Sequence, residues 1–448
     1  MARGARIARH TGARANPALH SGTFALSVAP PMVAPREKPT AHRPLIQRKG
    51  VKRALVNVGG AVETAGDPAL AARLVDALTL RPGERDATLT HPFHAYPARL
   101  HPEVARALVA ALAPARGQTV LDPFCGSGTV LVEALAAGHR ALGRDLSPLA
   151  VELATVKTAV LAGDARRAIV EATRSAAERA RGLCETGMKL PVPPGEARWF
   201  APHTLREVAA LAEALRRAPA AVRPALRMLL SSVLVKVSLQ ASDSDTRIVR
   251  KRVAPGEAIH FFAYKSRELD RCLAALAEAL PPGARADVRV DDATALATVP
   301  AGAVDAIVTS PPYANTYDYA AHHARRYAWL GLDAAGMLAG EIGAARWFEV
   351  PEAGALRFRR ELGAMCAAFA RVLAPGARAA VVIADGAAGA EALRADKMLR
   401  EAAAGAGLAV VARASQDRKV FDTDSVRAFS KRPKREHVIV LGHPDRSP

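Results

Sequence analysis

The sequence predicts an α/β fold: a doubly wound sheet with an antiparallel terminal hairpin, plus a mainly helical insertion. Three observations carry this reading. Short β-rich runs alternate with segments of helical periodicity. A Gly-rich turn, Asp122-Pro-Phe-Cys-Gly-Ser-Gly-Thr129, stands between a strand and a helix, and Asp145 ends the strand that follows. From 164 to 284 the strands cease and only helical patterns remain.

The elements follow in order. Residues 1–62 mix Pro, Arg, Ala and Gly without periodicity and read as a flexible basic tail, with Glu37 as its single acidic residue. Their Arg-rich, acid-poor character also resembles an organelle transit peptide, and Phe24 to Val33 is only mildly apolar. An amphipathic helix is expected over Asp67–Leu80 and another over Glu103–Ala113. Thr119-Val120-Leu121 is a short buried strand, and the helix after the Gly-rich turn stops at Gly138. Arg140–Gly143 forms the next strand, and Ser147-Pro148 caps and opens a helix. These residues, 63–163, make the first part of the main domain. The insertion, 164–284, has a Pro-rich break at Leu190–Gly195. In the second part, 285–448, strands are expected at Asp287–Val290, Val304–Val308 and Ala379–Ala384. Helices are expected from Tyr313 to Leu330 and over Ala355–Leu373, and Ala409–Ala414 with His437–Leu441 read as the closing hairpin.

Composition narrows the partners. The 448 residues are 50% hydrophobic but only 4% aromatic, which suits a folded, helix-rich protein. The formal net charge is +19, which favours polyanionic partners because Lys and Arg displace counterions from phosphates. About half of that excess lies in the first sixty or so residues. The four cysteines, Cys125, Cys184, Cys272 and Cys366, lack the spacing of a zinc site, a redox pair or a disulfide framework, which fits a reducing cytoplasm. No metal site is expected, and His322-His323 reads as core or surface histidine. No apolar run is long enough to span a membrane.

Two motifs carry chemistry. In the Gly-rich turn, Gly126 and Gly128 let the backbone approach a ligand where a side chain would block it. Asp145 puts a carboxylate where a ribose diol would lie. The second motif, Thr309-Ser-Pro-Pro-Tyr313, follows a buried strand, and its two prolines fix a rigid backbone at the ligand edge of the sheet. An amino group conjugated with a base is a weak nucleophile. The Ser310 hydroxyl and Pro311 carbonyl can pull on its protons, and Tyr313 offers a face for stacking the base.

With both motifs present, the chain resembles the S-adenosylmethionine-dependent amino-methyltransferases of DNA (cytosine-N4 and adenine-N6 type), marked by D-P-F-x-G-S-G-T and S/D-P-P-Y. The resemblance covers residues 90–155 and 285–445 and implies a Rossmann-like methyltransferase sheet with S-adenosylmethionine as cofactor. It implies cofactor contacts from Asp122, Pro123, Phe124, Gly126, Ser127, Gly128 and Thr129, with Asp145 on the ribose. His94-Ala-Tyr96-Pro97-Ala-Arg-Leu100 is similar to the element that encloses the methionine part. Asp292 and Ala293 fall where an acidic residue meets the adenine amino group, with Asp291 one residue away as the competitor. Ser310, Pro311, Pro312 and Tyr313 would be the catalytic residues, and the serine variant tilts the target toward cytosine N4 over adenine N6. Methylation at cytosine carbon 5 needs a cysteine, typically after a proline, and none of the four follows one. The long insertion departs from the family pattern. Within it Arg247, Arg250, Lys251 and Arg252 suit a phosphate backbone, as do Arg325 and Arg326 beyond the second motif. DNA is the expected partner, with RNA, or a catalytically inactive nucleic-acid-binding relative, as the alternatives. The resemblance further implies a bacterial cytoplasmic enzyme of a restriction-modification or orphan system.

Overall fold

A computed structural model describes residues 61–79, 88–281, 284–418 and 423–444, so the expected tail lies almost wholly outside the described residues. The chain enters through β1 (Val62–Gly66), α1 (Pro68–Thr79) and α2 (Pro102–Leu112). The nucleotide-fold core follows as β2 (Thr119–Asp122), α3 (Thr129–Ala136), β3 (Arg140–Asp145) and α4 (Pro148–Lys157). Ser147 caps α4 through its hydroxyl on the Ala150 amide, with Pro148 in the first turn. The insertion comprises α5 (Gly163–Glu185), α6 (Pro202–Arg216), α7 (Arg223–Val237), a small hairpin of β4 (Gln240–Ser242) and β5 (Asp245–Ile248), and α8 (Glu257–Ala279). The sheet resumes with β6 (Ala286–Val290) and β7 (Val304–Thr309). Three short helices follow: α9 (Tyr319–His322), α10 (Ala324–Leu330) and α11 (Ala335–Gly340). Last come α12 (Pro351–Val372), β8 (Leu373–Ala384), the β9 (Gly386–Ala388) and β10 (Glu391–Leu393) hairpin, α13 (Ala395–Gly405), β11 (Ala409–Arg418), α14 (Thr423–Ala428) and β12 (Lys434–Gly442).

The strands form one mixed sheet in the order β1-β11-β12-β8-β7-β2-β3-β6. β6, β3, β2, β7 and β8 run parallel, while β12 is antiparallel to both β8 and β11. The expected doubly wound sheet with its antiparallel terminal hairpin is therefore present. The chain winds outward from β2 to β3 and β6, then returns to β7 on the other side. That reversal opens a crevice at the carboxyl edge between β2 and β7, where such folds bind ligands.

Side-chain alternation divides the core into two layers. Val120, Val308, Val382, Ala414 and Val438 face α1, α2 and α3. Their neighbours Leu121, Ile307, Val381 and Ile439 face α12 and α13, packing on Phe358, Leu362 and Phe369. A third cluster gathers α5 to α8 around Leu211, Leu229, Leu234 and Phe262, and reaches Leu153 of α4 and Trp329 of α10. Burying each such Leu or Phe side chain contributes roughly 1.5–3 kcal/mol.

Three local expectations are corrected. β1 was not expected, because Val62–Gly66 carries no alternation: it is an exposed edge strand held by pairing with β11. The helix expected from Tyr313 to Leu330 is instead a loop and two short helices. Asn315 adopts φ 51°, and the Glu341 carboxylate accepts from the Tyr319 and Ala320 amides, so α9 starts late. The insertion, where the strands were expected to cease, contains the short β4–β5 hairpin.

Candidate active site

The two motif loops leave neighbouring strands. Leu121 pairs with Ile307 in parallel register, so the chain emerges side by side at Asp122 and Thr309. The Thr309 hydroxyl donates to Asp122 Oδ1 at 2.7 Å and ties one loop to the other. Asp122 also accepts from the Phe124 amide at 3.1 Å, which shapes the turn. Gly126 has φ 48°, and a Cβ there would sit 3.3 Å from the Tyr96 ring. Gly128 has φ 79° and faces Ala154 of α4 rather than the cleft, so its role is close helix packing.

A cleft of about 850 Å³, counting space open to solvent, lies over this edge. Tyr96, Pro97, Asp122, Pro123, Phe124, Gly126, Ser127, Thr129, Asp145, Asp292, Ala293, Ser310 and Pro312 all line it. Pro311 and Tyr313 do not: Pro311 is buried beneath the loop, and the Tyr313 hydroxyl turns away to donate to Glu436 at 2.8 Å. The neighbouring aspartates separate by geometry. Asp291 is consumed by the Asp292, Ala297 and Thr298 amides and the Thr298 hydroxyl, whereas Asp292 accepts only from Thr294 and lines the cleft.

The site is strongly desolvated. Burial pushes Asp122 up to about 7, opposed by its bonds from Thr309 and Phe124. Burial likewise raises Asp145 to about 6, opposed by the Ser147 amide at 2.9 Å and the Gly126 amide at 2.8 Å. Ser127 and Thr129 line the cleft, and their hydroxyls are buried and without a hydrogen-bond partner among the described residues. Orphaned polar atoms in a cavity mark a place for a polar ligand. The residues present thus fit a cofactor with an amino-acid end and a ribose: hydroxyls at the start of α3, carboxylates at Asp145 and Asp292. Cys125 also borders the cleft, but burial holds its thiol far above the usual range, so it offers no thiolate.

Sequence reasoning missed the opposite wall. Tyr319, Met337, Gly340, Glu341 and Ile342 close the cleft from α9, α11 and the turn after it, together with Leu146. Tyr319 alone carried a signal, six residues beyond Tyr313; the apolar members carry none. His323, fully buried, packs against Tyr96 in a tilted arrangement with ring centroids 4.8 Å apart and stiffens that wall.

The basic residues divide. Arg247, Arg250 and Arg252 are exposed around the β4–β5 hairpin, with Arg247 paired to Asp245 at 2.6 Å. Lys251 is half-buried and donates to the Val235 carbonyl at 3.0 Å. Arg325 and Arg326 are not a phosphate surface. Arg325 is 6% exposed and lies 3.6 Å over the Trp199 ring. Arg326, 1% exposed, donates to the Ser231 carbonyl, meets His323 Nδ1 and pairs with Asp243. The physical reason is that α10 turns Tyr327, Trp329 and Leu330 into the insertion's core and carries both arginines with them.

One further group, Asp385, Asp396 and His437, brings three candidate ligands of two types together. Asp385 is already engaged by Arg394 and the Ala395 and Arg435 amides, Asp396 by Arg413, and His437 by Ser415. It reads as a satisfied ion-pair node. No helix among the described residues is long and apolar enough to cross a membrane.

Comparison with known proteins agrees with this geometry. Residues 92–186 match the family model described as RMKL-like, methyltransferase domain. That stretch holds the Tyr96 segment, the Gly-rich loop and Asp145, and ends before Ser310. The type II methyltransferase M.MvaI of Kocuria varians is 39% identical over 72 residues, 16% of each chain. The tRNA (guanine(10)-N2)-dimethyltransferase of Methanothermobacter thermautotrophicus is 40% identical over 57 residues, 13% of this chain and 17% of its own. The chain thus matches about one sixth of the length of these relatives. The rRNA methyltransferase aviRa of Streptomyces viridochromogenes aligns over 82% of this chain and 94% of its own, at 16% identity and a TM-score of 0.30, too slight a likeness to bear on activity. The matched family model and both curated relatives are described as methyltransferases.

Proposed function

We propose that this chain transfers a methyl group from S-adenosylmethionine to the exocyclic amino group of a DNA base, with cytosine N4 ahead of adenine N6. The observation that carries the reading is the Thr309–Asp122 hydrogen bond, which holds Ser310 on the same cleft as the cofactor loop. When bound, S-adenosylmethionine supplies an electrophilic methyl on a sulfonium. In this reading Ser127 and Thr129 take its carboxylate, Asp145 its ribose hydroxyls and Asp292 its adenine amino group. Ser310 Oγ and the Pro311 carbonyl would accept hydrogen bonds from the target amino group, so that the nitrogen lone pair localises along the axis of attack and the proton shed by the methylated nitrogen passes to solvent. Pro312 keeps that backbone rigid, and Tyr313 stacks the extruded base.

The insertion, with Arg247 on its hairpin and Arg250 and Arg252 just after it, is the proposed nucleic-acid-recognition element, acting from the cytoplasm on nucleoid DNA in a restriction-modification or orphan system. A second reading, transfer to an RNA base, is favoured by the tRNA-modifying relative, whose name places its methyl groups on a guanine N2. The deciding experiment is tritiated methyl transfer to unmethylated genomic DNA and to total RNA, with Ser310→Ala alongside. Counts in DNA that fall at least about a hundredfold in the variant are expected. Counts confined to RNA would move the assignment to the second reading, and a fully active variant would remove Ser310 from the chemistry.

A further inference from the structure

β12 alternates along its length, and Val440 and Val438 join the same apolar layer as Val382 and Ala414. The next residue on that face, toward the carboxyl edge, is Glu436, paired with Ala384 of β8 and Gln416 of β11. An apolar stripe thus ends in a carboxylate where the Ser-Pro-Pro-Tyr loop leaves β7. Glu436 is 0% exposed. Its Oε1 accepts from the Tyr313 hydroxyl at 2.8 Å and from Arg418 at 2.7 Å, and its Oε2 has no partner. Burial raises the acid's pKa and Arg418 opposes this, while Arg418 in turn feels both Tyr313 and Tyr317. Ser310 also acts on the Tyr313 phenol. A buried ion pair adds little to stability by itself, because well-packed apolar residues of similar volume serve as well or better.

We infer that Glu436, backed by Arg418, is a positioning residue for the transfer reaction: it tethers the Tyr313 hydroxyl and so sets the plane in which the ring presents the base. The inference rests on the proposed transfer reading. Without the tether the Tyr313 side chain keeps its rotamer freedom and the ring is held only by packing. With it, the ring is referenced to the sheet itself, the same frame that holds Asp122 and Ser310. Attack on a methyl sulfonium requires alignment, and displacement by about 1 Å costs on the order of a hundredfold in rate.

The test is a double-mutant cycle on the full chain, with Glu436→Ala and Tyr313→Phe singly and combined. Methyl transfer to genomic DNA and total RNA is measured for kcat and KM, cofactor affinity by calorimetry, and the thermal midpoint alongside. Each single variant should lower kcat by about tenfold to a hundredfold, with cofactor affinity changed by less than about twofold. The double variant should be no slower than the slower single, because both remove one tether. Losses that multiply, or wild-type kcat in Glu436→Ala, would overturn the inference. Should Glu436→Ala melt early, Tyr313→Phe decides, since it leaves the Glu436–Arg418 pair intact; wild-type kcat there makes the tether irrelevant. An unsubstituted protein silent on both nucleic acids would overturn the transfer reading and this inference with it. That outcome is distinct from an active enzyme indifferent to these substitutions.

Discussion

The Gly-rich loop and the arginine-rich neighbourhood of the insertion look equally functional in sequence, and the fold treats them in opposite ways. At the loop, polar groups are buried and left unsatisfied: Ser127 and Thr129 have no partner, and the Asp122 and Asp145 carboxyls are pushed up by desolvation. Around the insertion, much of the charge is taken up by structure. Arg326 ties α10 to α7 and to the hairpin, Arg325 stacks on Trp199, and Arg227 grips Glu152 of α4 through two bonds of 3.0 Å. Unsatisfied polarity in a cavity points to a ligand, because the penalty of burying it is offset only on binding. A tally of basic residues does not, since a guanidinium with five donors is equally useful as an internal clamp.

The comparison can be broken most forcefully at Arg326. Its replacement by Ala should destabilise the chain by about 3 kcal/mol, the low end for a buried pair because Asp243 keeps some access to water. Urea denaturation measures this, and an unshifted midpoint would return Arg326 to the candidate phosphate-binding residues.

Asp145 sharpens the other side. Its pKa rises from the ordinary 3.8 to about 6 on folding. The ligand-free fold therefore keeps a proton that the unfolded chain has lost, and stability declines as pH rises from about 4 through about 6. A cofactor with net positive charge and a ribose diol prefers the ionised form. Cofactor affinity should therefore tighten as pH rises through that window and level off once Asp122, near 7, has also ionised. Asp145→Asn should weaken binding by about tenfold and flatten the lower part of the profile. A wild-type profile in the variant would detach Asp145 from the cofactor.

The smallest effect is expected at the surface. Replacing Arg247, Arg250 and Arg252 by Gln should leave the unfolding free energy within about 0.5 kcal/mol. The slope of log affinity for DNA against log salt should become shallower by about 0.9 for each phosphate no longer neutralised. An unchanged slope would remove the hairpin from the nucleic-acid interface.

The motifs on the cleft were legible because each follows a buried strand directly and opens a turn with special backbone needs. Local sequence decides such units, so Asp122, Gly126, Asp145 and Ser310 follow from the sequence directly. Glu436 does not, because the continuous apolar run that marks the closing strand begins only after His437. Arg418 and the Tyr319–Ile342 wall escape for a related reason: they meet the site across the sheet or over a loop, and neither period nor spacing records that meeting.

By itself, then, the sequence determined the doubly wound core, the antiparallel closing hairpin and the face of the sheet that carries the cleft, all consequences of side-chain period and of Gly, Pro and capping residues. Tertiary structure alone decided which of two adjacent aspartates lines the cleft, which arginines reach solvent and what holds Tyr313. Those outcomes depend on burial and hydrogen-bond competition between residues distant in the chain, such as Arg326 with Asp243 and Tyr313 with Glu436.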